Sequence, residues 1–344
     1  LKLADNIIID AENITTGKNL YVEYITQSII NDDQEEPTFH LPTFKSIAKE
    51  LQRKYPNNVD IKPYQYLHLI SATEEQFQKT YSYLIKDGDE RGVYRLPTGV
   101  HEIKKTIIVP RGITLTIEPG ATLKFSSGKS LIAYGKIKAI GTKESPIIFT
   151  SLPFRSWGVV GLVREDSGGE FEHCVFENGG DAYINGVYFS GMLSAYHANA
   201  SVISCKFQYA GKGGGDDALN FKNGLFTVEN SYFYRNEGDA IDFDFVEKGS
   251  EIKGNYFEEN ENDSMDISGS NITITNNRVN KSGDKCISIG EESTGIIQDN
   301  ILEQCNFGIA AKDSSEILIV NNNFIGNNVG VSAYNKKANF GGAN

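Results

Sequence analysis

The sequence lacks several features that mark common protein classes. No apolar run approaches the eighteen residues that a membrane-spanning helix needs, so membrane insertion is not expected. The four cysteines include no C-x-x-C pair, which argues against a structural zinc site. Basic residues are outnumbered, and the formal net charge is −12. Nucleic acid is therefore not expected as a partner, because phosphate binding needs clustered lysine and arginine.

What the sequence does contain is a repeat of about 22 residues in its C-terminal two-thirds. Six short strands can be aligned, and their first inward apolar residues are separated by 22, 24, 22, 22 and 22 positions. These residues are Leu219, Ile241, Met265, Ile287, Ile309 and Val331. A fixed period over many repeats is typical of a solenoid, in which each repeat packs on its neighbours.

A second set of positions keeps the same register. Its apolar members are Phe207, Phe233, Phe257, Val279, Leu302 and Phe324. Two residues before each of them stand Cys205, Ser231, Asn255, Asn277, Asn300 and Asn322. Four successive asparagines in one column predict a ladder of side-chain amides that satisfies the backbone groups of a tight turn.

These columns predict an all-β chain, a right-handed parallel β-helix over residues 92–344. An antiparallel sandwich would not keep one spacing over six repeats, whereas stacked parallel strands repeat about every 4.8 Å. Residues 1–91 are predicted to be a small, partly helical segment that caps the first coil. Helical periodicity covers 43–54 and 74–85, and Ser71 with Glu74 fits a capping box. The alternatives are a segment that merely covers the first coil and the remainder of an upstream domain.

The repeats resemble secreted bacterial β-helix proteins of the pectin-lyase-like superfamily. The segments "IVPRGITLTIEPGATLKF" and "GKIKAIGTKESPIIFTS" look like first coils of that group. "GDDALNFK", "GDAIDFDF" and "GDKCISIGE" are similar to β-helix regions that accompany CotH-kinase-like domains. The resemblance implies a secreted or cell-surface location. It does not imply one activity, since the superfamily includes lyases, hydrolases, epimerases and adhesive modules.

Polygalacturonase-like hydrolases share two fragments with this chain. Asp216–Asp217 and the strand Gly283–Gly290 are similar to their motifs but lie on different coils, and the Gly-His-Gly and Arg-Ile-Lys segments are missing. The catalytic residues of that family are therefore not transferred.

Outward positions of five successive coils collect acidic residues on one side, which we call the acidic face. The first column contains Asp217, Asp239, Asp263 and Lys285; the second contains Asn220, Asp242, Asp266 and Ser288; the third contains Lys222, Asp244, Ser268, Gly290 and Lys312. Carboxylates about 5 Å apart repel by roughly 3 kcal/mol at an effective dielectric of ~20. A bound cation, raised carboxyl pKa values or interleaved lysines would offset this repulsion.

Calcium is the expected cation, because it accepts many oxygen ligands with loose geometry. Its expected ligands are Asp239, Asp242, Asp263 and Asp266. Calcium-dependent uronate lyases of this fold use a lysine or arginine as base. The resemblance thus implies that role for Lys222, Lys285 or Lys312 here, with a lowered pKa.

Metal-free hydrolysis is the other enzymatic hypothesis. Asp242 and Asp266 would form a carboxylate pair, and Asp217 or Asp244 would complete the site. Tyr196 and His197 border the face, and with Lys312 they are expected to contact substrate.

The leading hypothesis is a carbohydrate-active protein, a polysaccharide lyase or glycoside hydrolase, that cleaves or modifies a polysaccharide on the acidic face. The competing hypothesis is a non-catalytic binding or structural module, a monomer or part of a larger surface protein. In that case the face is an ion-paired ladder: Lys222 with Asp244, Lys285 with Asp263, and aspartates capping turns. Cys174 and Cys205 share a column and are expected to be buried thiols.

Overall fold

The structure is a computed structural model that describes residues 66–88, 90–152, 156–211 and 217–343. It also gives the backbone of four earlier strands, Lys2–Ala4, Ile7–Ile9, Leu20–Tyr24 and Val59–Asp60, which form one sheet. Contacts divide the chain into two compact units. One comprises residues 1–67 and 183–187, and the other comprises 68–182 and 188–344. The predicted helix over 43–54 lies outside the described residues.

The second unit contains three long sheets whose strands alternate along the chain, one strand per sheet in each coil. Sheet 1 contains Ile107–Val109, Leu131–Ala133, Val160–Val163, Gly191–Tyr196, Asp217–Lys222, Ile241–Asp244, Met265–Ser268, Lys285–Gly290, Phe307–Lys312 and Val329–Tyr334. Sheet 2 contains Ile85–Lys86, Val93–Leu96, Thr114–Ile117, Lys136–Ile140, Gly168–Glu172, Asn199–Ile203, Phe226–Glu229, Ser250–Lys253, Asn271–Thr275, Thr294–Gln298 and Glu316–Val320. Sheet 3 contains Gly99–Ile103, Ala121–Phe125, Ile147–Ser151, Cys174–Glu177, Lys206–Gln208, Tyr232–Tyr234, Tyr256–Glu258, Arg278–Asn280, Ile301–Glu303 and Asn323–Ile325.

Neighbouring strands are parallel in all three sheets except where Ile85–Lys86 joins sheet 2 antiparallel. A further pair, Ala182–Ile184 and Val187–Phe189, forms a separate two-stranded sheet. This arrangement confirms the predicted parallel β-helix. Among the described residues, no helix combines the length and apolarity required to cross a membrane.

The predicted columns are confirmed by strand register. Leu219 pairs with Ile241, which pairs with Met265, and the column continues to Val331. In sheet 3 the inward phenylalanines stack along the solenoid, with ring centroids 4.4–5.1 Å apart between neighbours. The stack consists of Phe149, Phe176, Phe207, Phe233 and Phe257. Continuous stacking of this kind buries a large apolar surface in each of these five coils, and such burial is the main source of stability in a repeat fold.

The asparagine ladder lies at the turn between sheets 2 and 3. The Oδ1 atom of Asn277 accepts the backbone N–H of Asn255 at 2.9 Å and its side-chain N–H at 3.0 Å. The Nδ2 atom of Asn277 donates to the carbonyl of Ile252 and to Oδ1 of Asn300. The pattern continues to Asn322. The ladder therefore satisfies buried backbone groups that the turn leaves without a strand partner.

The helix before the first coil spans Glu74–Thr80, shorter than the predicted 74–85. Its capping box is formed by Thr73 and Gln76, so the prediction of Ser71 with Glu74 is wrong. The helix begins at Glu74, and Thr73 Oγ1 therefore accepts the N–H of Gln76. Phe77 packs edge-on against Tyr94, with centroids 5.0 Å apart, inside the β-helix core.

The four cysteines form two different pairs. Cys174 and Cys205 are free and buried in adjacent coils, as predicted, and the N–H of Cys174 lies 3.4 Å from Cys205 Sγ. Cys286 and Cys305 form a disulfide that the sequence analysis missed. Their separation of 19 residues is close to one coil, so the bridge links the two ends of one turn of the solenoid.

Candidate functional site

The acidic face occupies the outer side of sheet 1. Asp242 pairs in register with Asn220 on one side and with Asp266 on the other, while Asp244 pairs with Lys222 and Ser268. Ser288 follows Asp266 in the next coil. The second and third predicted columns are therefore confirmed as aligned rows.

The first column is a hydrogen-bonded ladder. Asp217 Oδ1 accepts the backbone N–H of Asp239 at 3.3 Å, and Asp239 Oδ1 accepts that of Asp263 at 2.8 Å. Asp263 Oδ1 accepts the N–H of Lys285 at 2.9 Å. The predicted catalytic residue Asp217 is buried and also accepts a hydrogen bond from Asn220. It therefore supports the coil, as turn-capping aspartates do.

The second column points its carboxylates outward. Asn220 bridges Asp217 and Asp242 through Nδ2. Asp242 and Asp266 are half-buried on adjacent strands. Asp266 Oδ1 lies 3.7 Å from Lys312 Nζ and has no hydrogen-bond partner in the described part of the chain. Asp242 and Asp266 therefore lie side by side as predicted, and neither accepts one of the backbone hydrogen bonds of the first-column ladder.

The lysines of the face are ion-paired. Lys222 Nζ lies 2.7 Å from Asp244 Oδ2, and Lys285 Nζ lies 3.3 Å from Asp263 Oδ1 and also contacts Asp284. Burial alone would lower the pKa of both lysines. Asp244 beside Lys222, and Asp284 with Asp263 beside Lys285, outweigh the effect of burial, so both pKa values are raised. The expected lowering of the pKa is therefore wrong for Lys222 and Lys285, and neither is prepared to act as a base.

Aromatic rings flank the face at both ends. Tyr196 pairs in register with Lys222, and its ring stacks on that of Phe189 with centroids 5.4 Å apart. The Lys222 ammonium lies 5.8 Å from the centroid of the Tyr196 ring. Tyr334 pairs with Lys312 at the other end. Tyr334 is not among the residues predicted from the sequence, although it follows Lys312 by 22 residues and so keeps the period. His197 is exposed on the turn after Tyr196.

Asp239 is a carboxyl group of the face with a strongly raised pKa. Burial, together with the nearby charges of Asp263, Asp266 and Asp242, raises its pKa to about 9. Burial also raises the pKa of Asp263, although Lys285 opposes the change. Oδ1 of Asp239 accepts the backbone N–H of Asp263, so Oδ2 is the oxygen left to carry the proton. At neutral pH Asp239 is therefore a neutral carboxylic acid, and it lies close to the outward side chains of Asp242 and Asp266.

Replacing Asp239 by Asn is expected to stabilise the protein at pH 8 but not at pH 4. The folded-state pKa is raised above the ordinary 3.8, so between these values the folded chain binds more protons than the unfolded chain. Stability contributed by this group is present below pH 3.8 and falls as the pH rises towards about 9. Asn keeps the acceptor for Asp263 without this dependence. Thermal unfolding of both proteins from pH 4 to pH 8 measures the effect, and parallel Tm curves would contradict it.

The described residues offer weak support for a metal. No group of three or more His, Cys, Asp or Glu side chains among them is arranged to hold an ion. Asp263 is occupied by Lys285, and Asp239 carries a proton at neutral pH. The set Asp239, Asp242, Asp263 and Asp266 thus does not fit a preformed calcium site, and calcium binding stays a prediction.

Comparison with known families agrees with this architecture. Two overlapping segments, residues 139–287 and 190–342, match the family described as "Right handed beta helix region", and together they cover more than half of the chain. The chain belongs to the right-handed β-helix family. No curated protein matches the sequence.

Several solved structures are similar to this β-helix protein. The surface adhesin PfbA of Streptococcus pneumoniae is 11% identical, with 71% of this chain and 86% of that chain covered and a TM-score of 0.33. Pectate lyase Pel9A is 13% identical, with 70% and 79% covered and a TM-score of 0.34. The A-module of the mannuronan C-5 epimerase AlgE4 of Azotobacter vinelandii is 12% identical, with 71% and 89% covered and a TM-score of 0.36.

Proposed function

We propose that this β-helix protein cleaves glycosidic bonds of a polysaccharide on its acidic face. Asp239 is the proton donor to the leaving oxygen, and Asp242 and Asp266 supply the nucleophile or base. The observation that carries the proposal is a carboxyl group with a raised pKa, Asp239, close to the outward side chains of Asp242 and Asp266 on adjacent coils. Glycosidases need such a pair, one carboxyl protonated and the other ionised.

The spacing of the coils suits this chemistry. Asp242 and Asp266 lie on neighbouring parallel strands, which are ~4.8 Å apart. In retaining glycosidases the acid and the nucleophile are about 5–5.5 Å apart. Asp239 is the acid here, and it is close enough to both Asp242 and Asp266 for their charges to raise its pKa.

The charge balance of the face favours a neutral glycan. It carries the six carboxyl groups of Asp217, Asp239, Asp242, Asp244, Asp263 and Asp266 against the three ammonium groups of Lys222, Lys285 and Lys312. A polyuronate would meet net repulsion unless a divalent cation bridged it to these carboxylates. Neutral sugars can instead exchange hydrogen bonds with carboxylates without a charge penalty.

A non-catalytic module is the second candidate. The first column supports it, because Asp217, Asp239 and Asp263 form a ladder of the kind that stabilises a repeat. Either function fits a secreted or surface location. Disulfides such as Cys286–Cys305 form in oxidising compartments and are rare in the cytosol.

The deciding experiment incubates the protein with a panel of neutral glycans and polyuronates, with calcium and with chelator. We expect new reducing ends from a neutral glycan in chelator, without unsaturated products. Unsaturated products from a polyuronate only with calcium would replace hydrolysis by calcium-dependent lysis. If no product forms under any condition, cleavage is rejected and the non-catalytic module is the remaining function.

Calcium binding is tested separately from activity. If Asp239, Asp242, Asp263 and Asp266 hold calcium, adding it to chelated protein raises Tm, because a ligand that binds only the folded state stabilises it. An unchanged Tm would reject these four aspartates as calcium ligands.

A further inference from the structure

A concave surface lies on a different side of the solenoid from the acidic face. It is a groove of about 630 Å³ on the outer side of sheet 2, beneath the turn at residues 164–167. That volume falls in the usual range for small-molecule sites. Its floor crosses four successive strands, those that carry Lys136, Gly168, Ser201 and Thr227.

Several outward positions along the groove carry small side chains. Gly168 has none, and a Cβ there would meet only the Asn199 carbonyl, at 3.4 Å. Ser201 and Thr227 present hydroxyl groups one and two coils further on. Leu225, 40% exposed, adds an apolar patch at the end of the groove.

Charges along the groove are balanced. Asp166 lies 3.5 Å from Arg111, and Glu170 lies 3.5 Å from Lys138. The remaining charged groups of the lining, Lys136 and Glu165, are of opposite sign. The groove therefore has no net charge to select an ion, in contrast to the acidic face.

We infer that this groove is a second binding site for a neutral glycan. A pyranose ring carries hydroxyl groups at its edge and C–H groups on its faces. Hydroxyls of Ser201 and Thr227 and the charged groups above them match the edge, and Leu225 matches a face. The inference takes its ligand class from the proposed function, but it concerns other residues and requires no catalysis.

The test uses a binding measurement in a protein with Asp242→Asn and Asp266→Asn, so that cleavage cannot interfere. Migration in native gels that contain mannan, xylan, galactan or β-glucan gives the dissociation constant for each neutral polysaccharide. Adding Thr227→Trp fills the groove and is expected to raise that constant at least tenfold. The matched control is Thr273→Trp, an outward threonine of the same sheet two coils further on and outside the groove. It should leave binding unchanged.

Three results overturn the inference. They are retardation by none of the neutral polysaccharides, retardation by polyuronates only, and equal binding of the Thr227→Trp and Thr273→Trp proteins. Binding that Thr227→Trp abolishes in a protein whose wild-type form cleaves nothing supports the groove and rejects the proposed hydrolysis. If the wild-type protein cleaves the glycan and Thr227→Trp leaves binding unaffected, the proposed hydrolysis is supported and the binding site in the groove is rejected.

Discussion

Replacing Asp266 by Asn is expected to lower the rate of glycan cleavage by at least about 100-fold, and replacing Asp242 by Asn to have a similar effect. Both carboxylates point outward on adjacent coils, and an amide can act neither as nucleophile nor as base. The measurement is the rate of reducing-end formation on whichever neutral glycan the wild-type protein cleaves. The fold should be retained, because neither carboxylate belongs to the first-column ladder.

The pH profile provides an independent check of the same mechanism. A proton donor with a pKa of about 9 is active below that value, so the rate should fall as the pH rises through about 9.

The control for the Asp242 and Asp266 variants is Asp299→Asn, the same substitution at a turn beyond sheet 2, which should keep wild-type activity. Full activity in both the Asp242 and Asp266 variants would reject the proposed roles.

Replacing Asn277 by Ala is expected to destabilise the β-helix by about 4 kcal/mol. The substitution removes the acceptor of two Asn255 N–H groups and the donor to the Ile252 carbonyl. Each buried group left without a partner costs about 1–3 kcal/mol. Urea unfolding monitored by circular dichroism measures the loss.

An exposed asparagine on the last coil provides the control for that variant. Asn323→Ala removes an outward side chain from sheet 3 and should change stability by less than about 0.5 kcal/mol. If the two variants unfold at the same urea concentration, the ladder does not contribute as the structure indicates.

Much of the candidate site could be predicted because strand register follows directly from the period of the repeat. Asp242 and Asp266 were placed side by side from their spacing alone, and so were Lys222 with Asp244. The roles of the lysines could not be predicted in the same way. Their pKa values depend on which carboxylate each ammonium reaches, and Asp284, the second partner of Lys285, lies outside the three columns.

Errors elsewhere in the chain have similar physical causes. The capping box was misplaced because three hydroxyl or acidic residues stand within four positions, and only the observed helix start selects Thr73. The Cys286–Cys305 bridge was missed because the two residues occupy different columns, and their proximity depends on the corner between sheets 3 and 1. The bridge joins Cys286, within a strand of sheet 1, to Cys305, in the turn before the next strand of that sheet, and the period of the repeat does not predict such a contact.

By itself the sequence determined the coil period, the inward columns and the asparagine ladder, because in a solenoid each contact is between residues one repeat apart. Only the tertiary structure decided which aspartates accept backbone N–H groups within the ladder and which face outward. That distinction depends on the direction of each carboxylate at a corner: Asp217 and Asp263 turn to backbone N–H groups, whereas Asp242 and Asp266 stand on the strand face. The raised pKa of Asp239 has the same origin, since it reflects the summed burial and charge of neighbours from several coils.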